Sequence, residues 1–306
     1  MAIIGPMLVL TDRPERARSW VDVPMAEGPL AAADRELWTA VGGADRSWSA
    51  RSAPGPWDRL LIVGQAPRSQ FDALREVPAL PGPVATVALA GTGFHGQRGR
   101  AWATERGNLH LCVALPAASP VDYLGSALPM LAAVATVEAI GRSCRIDAGI
   151  KWVNDVMVAG AKVGGVLTAA EICGAQVERV VIGVGVNVRS APRVRPTRFV
   201  PAVGCLRAHH PTAEVAGVGL AILAGLARHW AVLQERGPES LHRAYVDGSV
   251  VVGRRVQIWP EDVDEPGATT PLLAQGIVRG IGRDLSLVVE GHEEPIRRGR
   301  LAVVCG

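Results

Sequence analysis

Two lysines eleven positions apart are the first residues whose type suggests chemistry. The chain has 32 lysine and arginine residues, and only Lys151 and Lys162 are lysine. Lysine presents a compact ammonium on a thin stem, whereas arginine presents a wider planar fork. We interpret the two lysines as point charges in a narrow site that a guanidinium would not replace. The alternative is that two surface lysines lie close together by chance.

Asparagine is as scarce as lysine and falls near the same segments. The three asparagines are Asn108, Asn154 and Asn187. Asn154 and Asp155 lie three and four residues after Lys151, so a cation, an amide and a carboxylate are concentrated within five residues. This grouping favours a polar site around Lys151 and Lys162.

A glycine-rich segment, Gly91–Trp102, follows an apolar run and matches the pattern GxGxxG. A dinucleotide site would also need a helix that begins within the motif and an acidic residue after the second strand. Residues 97–102 show no helical period, and residues 116–119 contain no acid. We therefore interpret the segment as a flexible phosphate-binding loop. Its backbone amides and the forks of Arg98 and Arg100 would hold the anion, and Trp102 would pack on a neighbouring surface.

These residues must be positioned by strands and helices that the apolar pattern predicts. Residues 156–158 and 163–167 read as two strands joined by a turn at 159–161, with Lys162 at the start of the second. Further strands are predicted at 59–63, 84–90, 108–115 and 177–188, and helices at 65–74, 124–142, 212–236 (capped by Thr212) and 239–245.

The two ends of the chain differ from this middle part. Residues 7–10 could form a strand and 31–40 a helix, whereas 42–57 is predicted to be loop, and no helix-turn-helix pattern is present. From residue 249 onward, four or five short strands predict a small barrel, with a domain boundary near residue 247. The acidic run 261–265 is predicted to be a solvated hairpin loop.

Composition limits the class of protein. With 48% hydrophobic and 20% charged residues, the chain is typical of a globular protein with one large and one smaller domain. A net charge of +3 gives no general argument for nucleic-acid binding. The apolar stretch 127–140 is predicted to be too short to span a bilayer, and no signal peptide is expected. Five scattered cysteines without a CxxC pair argue against zinc and predict a reducing, cytoplasmic location.

Taken together, these segments resemble the biotin protein ligase family. The matching motifs, in the family's order and spacing, are GQRGRAW, GNLHL, KWVND, GAKVGGVL and VIGVGVNV, and the C-terminal GRRVQI and QGIVRGIG are similar to its SH3-like domain. The resemblance covers about residues 57–306. It implies an α+β fold, a mixed sheet flanked by helices, with a small C-terminal SH3-like β-barrel. The implied domains are an N-terminal extension of unknown role (1–56), a ligase catalytic domain (57–247) and the SH3-like domain (248–306).

The resemblance also implies an activity. Such ligases use ATP and Mg²⁺ to convert biotin to biotinyl-5'-AMP, and then transfer biotin to a lysine of a biotin carboxyl carrier protein. The catalytic residues implied are Lys162, Lys151, Arg98 and Arg100, with Asp155 as a candidate Mg²⁺ ligand. The implied substrate and adenylate contacts are Ser69, Gln70, Gly91, His95, Gly96, Gln97, Gly99, Trp102, Asn108, Asn154, Gly164, Gly165 and Asn187.

Three departures from the family pattern bear on the identity of the substrate. His95-Gly96-Gln97 replaces Arg-Gly-Arg in the loop that contacts phosphate, and the family's preceding glutamine falls near Gly91 or Thr92. Residues 67–70 replace its Asp-Ser-Thr-Asn segment, which leaves Ser69 and Gln70 as the expected polar contacts. A lipoate or octanoate protein ligase of the same fold is therefore an alternative, as is an inactive relative that only binds biotin or a carrier. The expected partner is the carrier protein, with no nucleic acid and no membrane, and a homodimer is one of the assemblies consistent with the sequence.

Overall fold

A computed structural model describes residues 6–54, 56–267 and 269–304. Within these residues the chain forms a ten-stranded sheet, a second sheet of four strands, and helices that cover the larger sheet. The strands are β1 Pro6–Thr11, β2 Ala26–Glu27, β3 Trp48–Pro54, β4 Arg59–Val63, β5 Val84–Ala88, β6 Leu109–Pro120, β7 Ala148–Lys151, β8 Asp155–Val158, β9 Ala161–Cys173, β10 Gln176–Val186, β11 Arg255–Trp259, β12 Ala274–Ile281, β13 Leu287–Val289 and β14 Arg300–Val303. The α-helices are α1 Pro14–Ala17, α2 Ala32–Ala40, α3 Gln70–Glu76, α4 Val121–Leu124, α5 Ala127–Cys144, α6 Val215–Arg236 and α7 Glu239–Asp247.

The large sheet is mixed, as predicted. Its order is β2-β3-β1-β4-β5-β6-β10-β9-β8-β7, with β1–β4 and β4–β5 parallel and the other pairs antiparallel. The long strands β6 and β10 are buried on both faces over most of their length because helices cover both sides of the sheet. Apolar residues of α5 and α6 join the core on one face, and those of α2 and α3 join a separate core on the other.

The helix α5 is apolar on almost every side, as the sequence predicts for a buried helix. It packs against α6 where a Cβ on Gly225 would lie 3.3 Å from the backbone oxygen of Ala135. By length and composition alone, α5 and α6 could each span a membrane, whereas the apolar stretch 127–140 is predicted from the sequence to be too short. In the structure both pack on the sheet, and core helices of globular proteins share this composition.

Residues before position 57 are built into the large sheet rather than attached to it. The strand predicted at residues 7–10 is part of β1, which pairs in parallel with β4, and the predicted helix corresponds to α2. The prediction of loop for residues 42–57 is wrong, because β3 forms there and pairs with both β1 and β2. The sequence of β3 is rich in Ser, Ala and Arg, so pairing with its neighbours, rather than an apolar alternation, specifies the strand.

The segment that carries the two lysines comprises β7, β8 and β9 and is called the lysine hairpin below; its β8–β9 turn forms as predicted. β8 and β9 pair antiparallel, and the turn uses Ala159 and Gly160 with φ of 47° and 82°. Both positive values match the twist of a tight two-residue hairpin. Lys151 pairs with Asp155 across β7 and β8, so the chain reverses tightly between the first lysine and the carboxylate.

The helix α6 lies where predicted but begins differently. Its N-cap is Glu214, without a side-chain cap, and Thr212 instead contacts Nε2 of His210 at 3.0 Å. Gly237 follows its last residue, as expected. The cap prediction at Thr212 is therefore wrong, because the hydroxyl finds a side-chain partner in the preceding turn.

The C-terminal residues form an antiparallel sheet in the order β13-β12-β11-β14. It docks on the lysine hairpin: Nε1 of Trp152 donates to the Leu285 carbonyl at 2.7 Å. Tyr245, on α7, donates to the carbonyl of Val153 at 2.9 Å. The Trp152 bond brings the smaller sheet to the edge of the segment that bears both lysines, and the Tyr245 bond attaches α7 to the same segment.

Candidate active site

A cavity of about 680 Å³ lies between the lysine hairpin, the glycine-rich loop and the smaller sheet. Fourteen of the residues predicted from the sequence border it: Ser69, Gln70, His95, Gly96, Gln97, Arg98, Arg100, Trp102, Lys151, Asn154, Asp155, Lys162, Gly165 and Asn187. The structure thus gathers residues that are spread over 119 positions of the chain around one space.

Lys162 sits at the centre of the cationic part of the cavity. Its Nζ lies 2.5 Å from Oδ1 of Asp155 and 5.8 Å from the centre of the Trp102 ring. The Lys162 backbone is also held, since its N–H donates to the Ala202 carbonyl and its carbonyl accepts from the Gly204 N–H, both at 2.9 Å. The ammonium is therefore oriented before any ligand arrives.

Lys151 is 6% exposed and donates to the backbone carbonyl of Phe199. Burial lowers the pKa of Lys151; Asp155 opposes this shift, while Lys162, Arg300 and Arg100 reinforce it. Positive groups therefore outnumber the carboxylate beside them. An anion placed here would restore the preference of Lys151 for its charged form.

The smaller sheet contributes a cation that the sequence analysis missed. The guanidinium of Arg300 lies 3.9 Å from the centre of the Phe199 ring and donates to Asp264 and to the Val263 carbonyl, both at 2.7 Å. Burial and the nearby Arg100 lower the pKa of Arg300. No local pattern marks this arginine among the 30 in the chain.

The glycine-rich loop folds back on itself. Trp102 N–H donates to the Phe94 carbonyl at 2.9 Å, Gly96 N–H donates to the Arg100 carbonyl at 2.8 Å, and residues 97–99 form one 3₁₀ turn. No α-helix begins in the motif, and the chain continues into β6, in agreement with the interpretation that this is not a dinucleotide site. Arg98 has φ of 58° and pairs with Glu261 of the acidic run. That run was expected to be a solvated loop, but Glu261 borders the cavity.

Glycines on β10 open space for aromatic rings. A Cβ on Gly185 would lie 2.6 Å from Trp102 ring atoms, and one on Gly183 would lie 3.3 Å from Phe71. Their partners across the sheet are His110 and Cys112 on β6. Side chains on paired strand residues share a face, so these two border the cavity beside the aromatic rings.

The residues at the start of α3 have structural partners within the site. Ser69 is the N-cap and accepts from the Asp72 N–H at 3.5 Å, while Oε1 of Gln70 accepts from Thr86 at 2.7 Å. Nε2 of His95 lies 2.8 Å from Asp72. The Gly96 carbonyl, and secondarily Asp72, raise the pKa of His95 against the effect of burial. His95 therefore ties the loop to α3.

The side chains of the three asparagines hydrogen-bond to backbone groups and hold the backbone around the cavity. Asn154 donates to the Val166 carbonyl at 2.7 Å, and Asn187 donates to the Gly204 carbonyl at 3.0 Å. Asn108 does not border the cavity: it donates to the Ser190 carbonyl at 2.9 Å and accepts from the Arg189 N–H. Asn108 therefore holds in place the segment that follows β10.

Three predicted glycines also lie outside the cavity lining. A Cβ on Gly164 would lie 2.7 Å from the Gly185 carbonyl oxygen, so this glycine serves strand packing. The Gly91 carbonyl accepts from Thr104 at 2.6 Å, and Gly99 has φ of 70° in the loop turn. These three glycines therefore determine the path of the backbone around the site.

Several cavity residues escaped the sequence analysis: His110, Phe94, Phe199, Glu261 and Arg300. For His110 a signal was present, because it is a polar residue within an otherwise apolar strand of alternating pattern. The others come close to the lysines only through the docking of distant segments.

Comparisons with known proteins agree with this geometry. A profile of the biotin/lipoate A/B protein ligase family matches residues 68–187. A biotin--[acetyl-CoA-carboxylase] ligase of Paracoccus denitrificans is 35% identical over 133 residues, which is 43% of this chain and 55% of that protein. The bifunctional ligase/repressor BirA of Bacillus subtilis is 33% identical over 117 residues, covering 37% of this chain and 36% of that protein. The chain thus spans about half, or less, of the length of these curated relatives.

Solved structures share the fold. Biotin protein ligase from Aquifex aeolicus, in complex with biotin and ATP, superposes with a TM-score of 0.62 and 19% identity, covering 81% of this chain and 99% of that one. A biotin protein ligase-like protein of unknown function from Silicibacter sp. has a TM-score of 0.55 and 16% identity, covering 78% and 93%. The profile match includes the glycine-rich loop and the lysine hairpin. Residues 68–187 of this chain are therefore similar to the biotin/lipoate A/B protein ligase family.

Proposed function

We propose that this chain is an ATP-dependent ligase that activates biotin as biotinyl-5'-AMP and transfers it to a lysine of a biotin carboxyl carrier protein. The observation that carries the proposal is the convergence of Lys162, Lys151, Arg100 and Arg300 on one cavity beside the carboxylate of Asp155. Two anionic substrates repel each other in water, and fixed cations remove that repulsion. The names of the relatives and the ligands of the Aquifex aeolicus structure support the choice of biotin and ATP.

In the first step a carboxylate oxygen of the acid attacks the α-phosphorus of ATP. An O–P bond forms, the bond to the β-phosphate oxygen breaks, and pyrophosphate leaves. Lys162 would stabilise the charge at the reacting oxygens, and Lys151 would hold the phosphate side. Arg98 and Arg100 would close the loop over the product and exclude water that would hydrolyse it.

In the second step the neutral amine of the acceptor lysine attacks the acyl carbon. The C–N bond forms, the C–O bond to AMP breaks, and AMP leaves as an anion while the amine loses a proton to solvent. No protein nucleophile is required. The same cations that receive ATP would stabilise the departing phosphate.

Magnesium would bind at Asp155 together with substrate phosphates. Among residues 6–54, 56–267 and 269–304, no group of three or more His, Cys, Asp and Glu side chains is placed to hold a metal alone. Mg²⁺ usually uses one or two carboxylates plus phosphate oxygens and water, so a single aspartate fits a metal that arrives with the nucleotide. Its role would be to neutralise phosphate charge.

For the remaining organisation, we propose a catalytic domain from 57 to 247 and an SH3-like domain from 248 to 306, in a cytoplasmic protein that is monomeric or forms a homodimer. Docking of Trp152 on Leu285 supports a rigid connection between the two parts. The part before residue 57 would complete the sheet of the catalytic domain, since β1 pairs with β4.

Acid-dependent ATP–pyrophosphate exchange tests the proposal. Exchange should require biotin, and a carrier protein should then gain the mass of one biotinyl group on one lysine. A lipoate or octanoate ligase would show exchange with those acids instead. Absence of exchange with all three acids would overturn the ligase assignment and favour a binding protein without chemistry.

A further inference from the structure

The acidic run 261–265 pairs with arginines that border the cavity. The pairs are Glu261 with Arg98, Asp264 with Arg300 and Glu265 with Arg195. The three arginines come from the glycine-rich loop, from β14 and from the segment that follows β10, and all three line the cavity. One short run of carboxylates therefore occupies cations from three separate parts of the site.

Apolar packing helps to hold the acidic run in this position. Val263, in the middle of the run, packs on a small apolar cluster beside the cavity. The cluster contains Phe199, Trp259 and Ala302. The carbonyl of Val263 also accepts from Arg300 at 2.7 Å. The carboxylates are therefore placed by an apolar anchor as well as by attraction to the arginines.

The three pairs differ in exposure. The pair of Glu265 is the most exposed, at 59% for its carboxylate side chain and 82% for its arginine, and the charged atoms are 3.6 Å apart. Such a pair contributes little. The Arg300 side chain is only 12% exposed and lies 2.7 Å from Asp264. The side chains of Arg98 and Glu261 are partly exposed, and both border the cavity. The pairs of Glu261 and Asp264 therefore have the larger effect on the site.

A carboxylate and a phosphate compete for the same guanidinium donors. Both anions accept parallel N–H bonds from an arginine fork, and such charge-assisted bonds are stronger than those between neutral groups. Arg98 therefore cannot make its full set of bonds with Glu261 and with a substrate phosphate at the same time. The same competition holds between Asp264 and a phosphate at Arg300. A carboxylate that stayed close to the bound phosphate would also repel it.

We propose that the acidic run is an autoinhibitory contact, in which its carboxylates occupy the guanidinium groups of Arg98 and Arg300 as internal anions that a nucleotide phosphate must displace. The inference rests on the ligase function proposed above and concerns the regulation of nucleotide binding at the same site. The acidic run weakens the binding of ATP and of the pyrophosphate product, and it thereby favours release of pyrophosphate.

Calorimetric titration of the full chain with pyrophosphate and with ATP tests the inference. Glu261→Gln and Asp264→Asn should each tighten the binding of both anions by about twofold to fivefold, the range expected for an exposed ion pair. The double variant should bind about tenfold more tightly, because the two pairs involve different arginines. The gain should shrink at high salt, since mobile ions screen exposed pairs.

Two controls separate competition for the arginines from a general change in charge. Glu290→Gln removes a carboxylate at the end of β13 whose pair with Arg279 is similarly exposed and lies outside the cavity. This variant should leave both affinities unchanged. In an Arg98→Gln background, Glu261→Gln should bring a smaller gain than in the unmodified protein, because the guanidinium for which the carboxylate competes is absent.

The outcomes separate this inference from the ligase proposal. Unchanged or weaker pyrophosphate binding in Glu261→Gln and in the double variant would overturn the inference, and weaker binding would show that Glu261 instead orients Arg98 toward the phosphate. An equal gain in Glu290→Gln would also overturn it. If no acid supports exchange but the variants bind pyrophosphate more tightly, the inference stands and the ligase proposal fails. If exchange proceeds and the affinities do not rise, the reverse holds.

Thermal unfolding identifies a variant that has not folded. If Glu261→Gln does not fold, Asp264→Asn decides, because the side chain of Asp264 is 84% exposed and its replacement leaves the apolar anchor of the run in place. Tighter pyrophosphate binding by this variant would support the inference, and unchanged or weaker binding would overturn it.

Discussion

The ammonium of Lys162 lies 2.5 Å from the carboxylate of Asp155, on the strand that pairs with its own. In this arrangement the carboxylate holds the lysine until an anionic substrate arrives. The pair joins the sequence motif to the proposed chemistry, because both residues belong to the same hairpin and both border the cavity.

Replacement of Lys162 should abolish adenylate formation without unfolding the protein. Loss of one donor that stabilises developing charge reduces turnover by about a hundredfold to a thousandfold. Lys162→Ala should show this loss in pyrophosphate exchange, with a thermal transition close to that of the unmodified protein. Lys162→Arg should fail as well, since the fork is wider than the ammonium. Near-normal exchange by the arginine variant would contradict the requirement for a point charge.

Replacement of Asp155 should destabilise the ligand-free protein. Asp155→Asn leaves Lys162 without its ionic partner and removes the group that opposes the lowered pKa of Lys151. We expect a loss of about 2 kcal/mol in the free energy of unfolding, part of which ATP should restore by supplying negative charge. Urea unfolding with and without ATP measures both effects. If the variant is as stable as the unmodified protein, the negative charge of Asp155 does not offset the positive charges of the neighbouring cations.

The segment Gly91–Trp102 should become ordered when the adenylate binds. Gly93 and Gly99 have φ of 67° and 70° and no side-chain neighbours within 4 Å of a built Cβ, so ordering must cost backbone entropy. Arg98 pairs with Glu261 in the absence of ligand, and a phosphate would compete for it. Limited proteolysis should cut this segment less in the presence of a non-hydrolysable acyl-AMP analogue than with biotin alone. Equal cleavage in both conditions would show that the adenylate does not order the loop.

Deletion of residues 1–45 should unfold the protein, contrary to what the sequence alone predicts. From the absence of motifs before residue 57, the sequence predicts that a truncated chain would remain active. In the structure β1 pairs with β4, and Leu10 and Trp20 are buried in the two cores. Leu10→Ala in the full chain should lower the free energy of unfolding by about 2–5 kcal/mol. Chemical unfolding measures this value, and a folded, active truncation would show that the sheet is stable without β1.

Acid should destabilise the protein partly through His110. Its pKa falls from 6.5 in the unfolded chain to about 4 in the fold, so between these values the unfolded chain binds the proton and the folded protein does not. The penalty is absent above pH 6.5, grows as the pH falls, and reaches about 3 kcal/mol below pH 4. His110→Phe lacks it, so its stability advantage over the unmodified protein should grow from pH 7 to pH 4.5 in urea unfolding. A difference that stays constant with pH would contradict the burial of a neutral imidazole.

The amino-acid sequence by itself determined the local parts of this protein. The hairpin of Lys151 and Lys162, the strand β6 and the buried helix α5 follow from patterns within about twenty residues, because side-chain period and turn chemistry are local properties. The same locality explains the correct interpretation of residues 97–102, where no helical period follows the glycines.

Only the tertiary structure decided which distant residues meet at the site. Trp102 packs on Gly185, Arg98 pairs with Glu261, and Phe94 packs on His110 because of strand order and the docking of the smaller sheet. The strand β3 is likewise specified by its partners rather than by its own composition. Contacts between segments that are far apart in sequence depend on the whole packed arrangement, which no local period encodes.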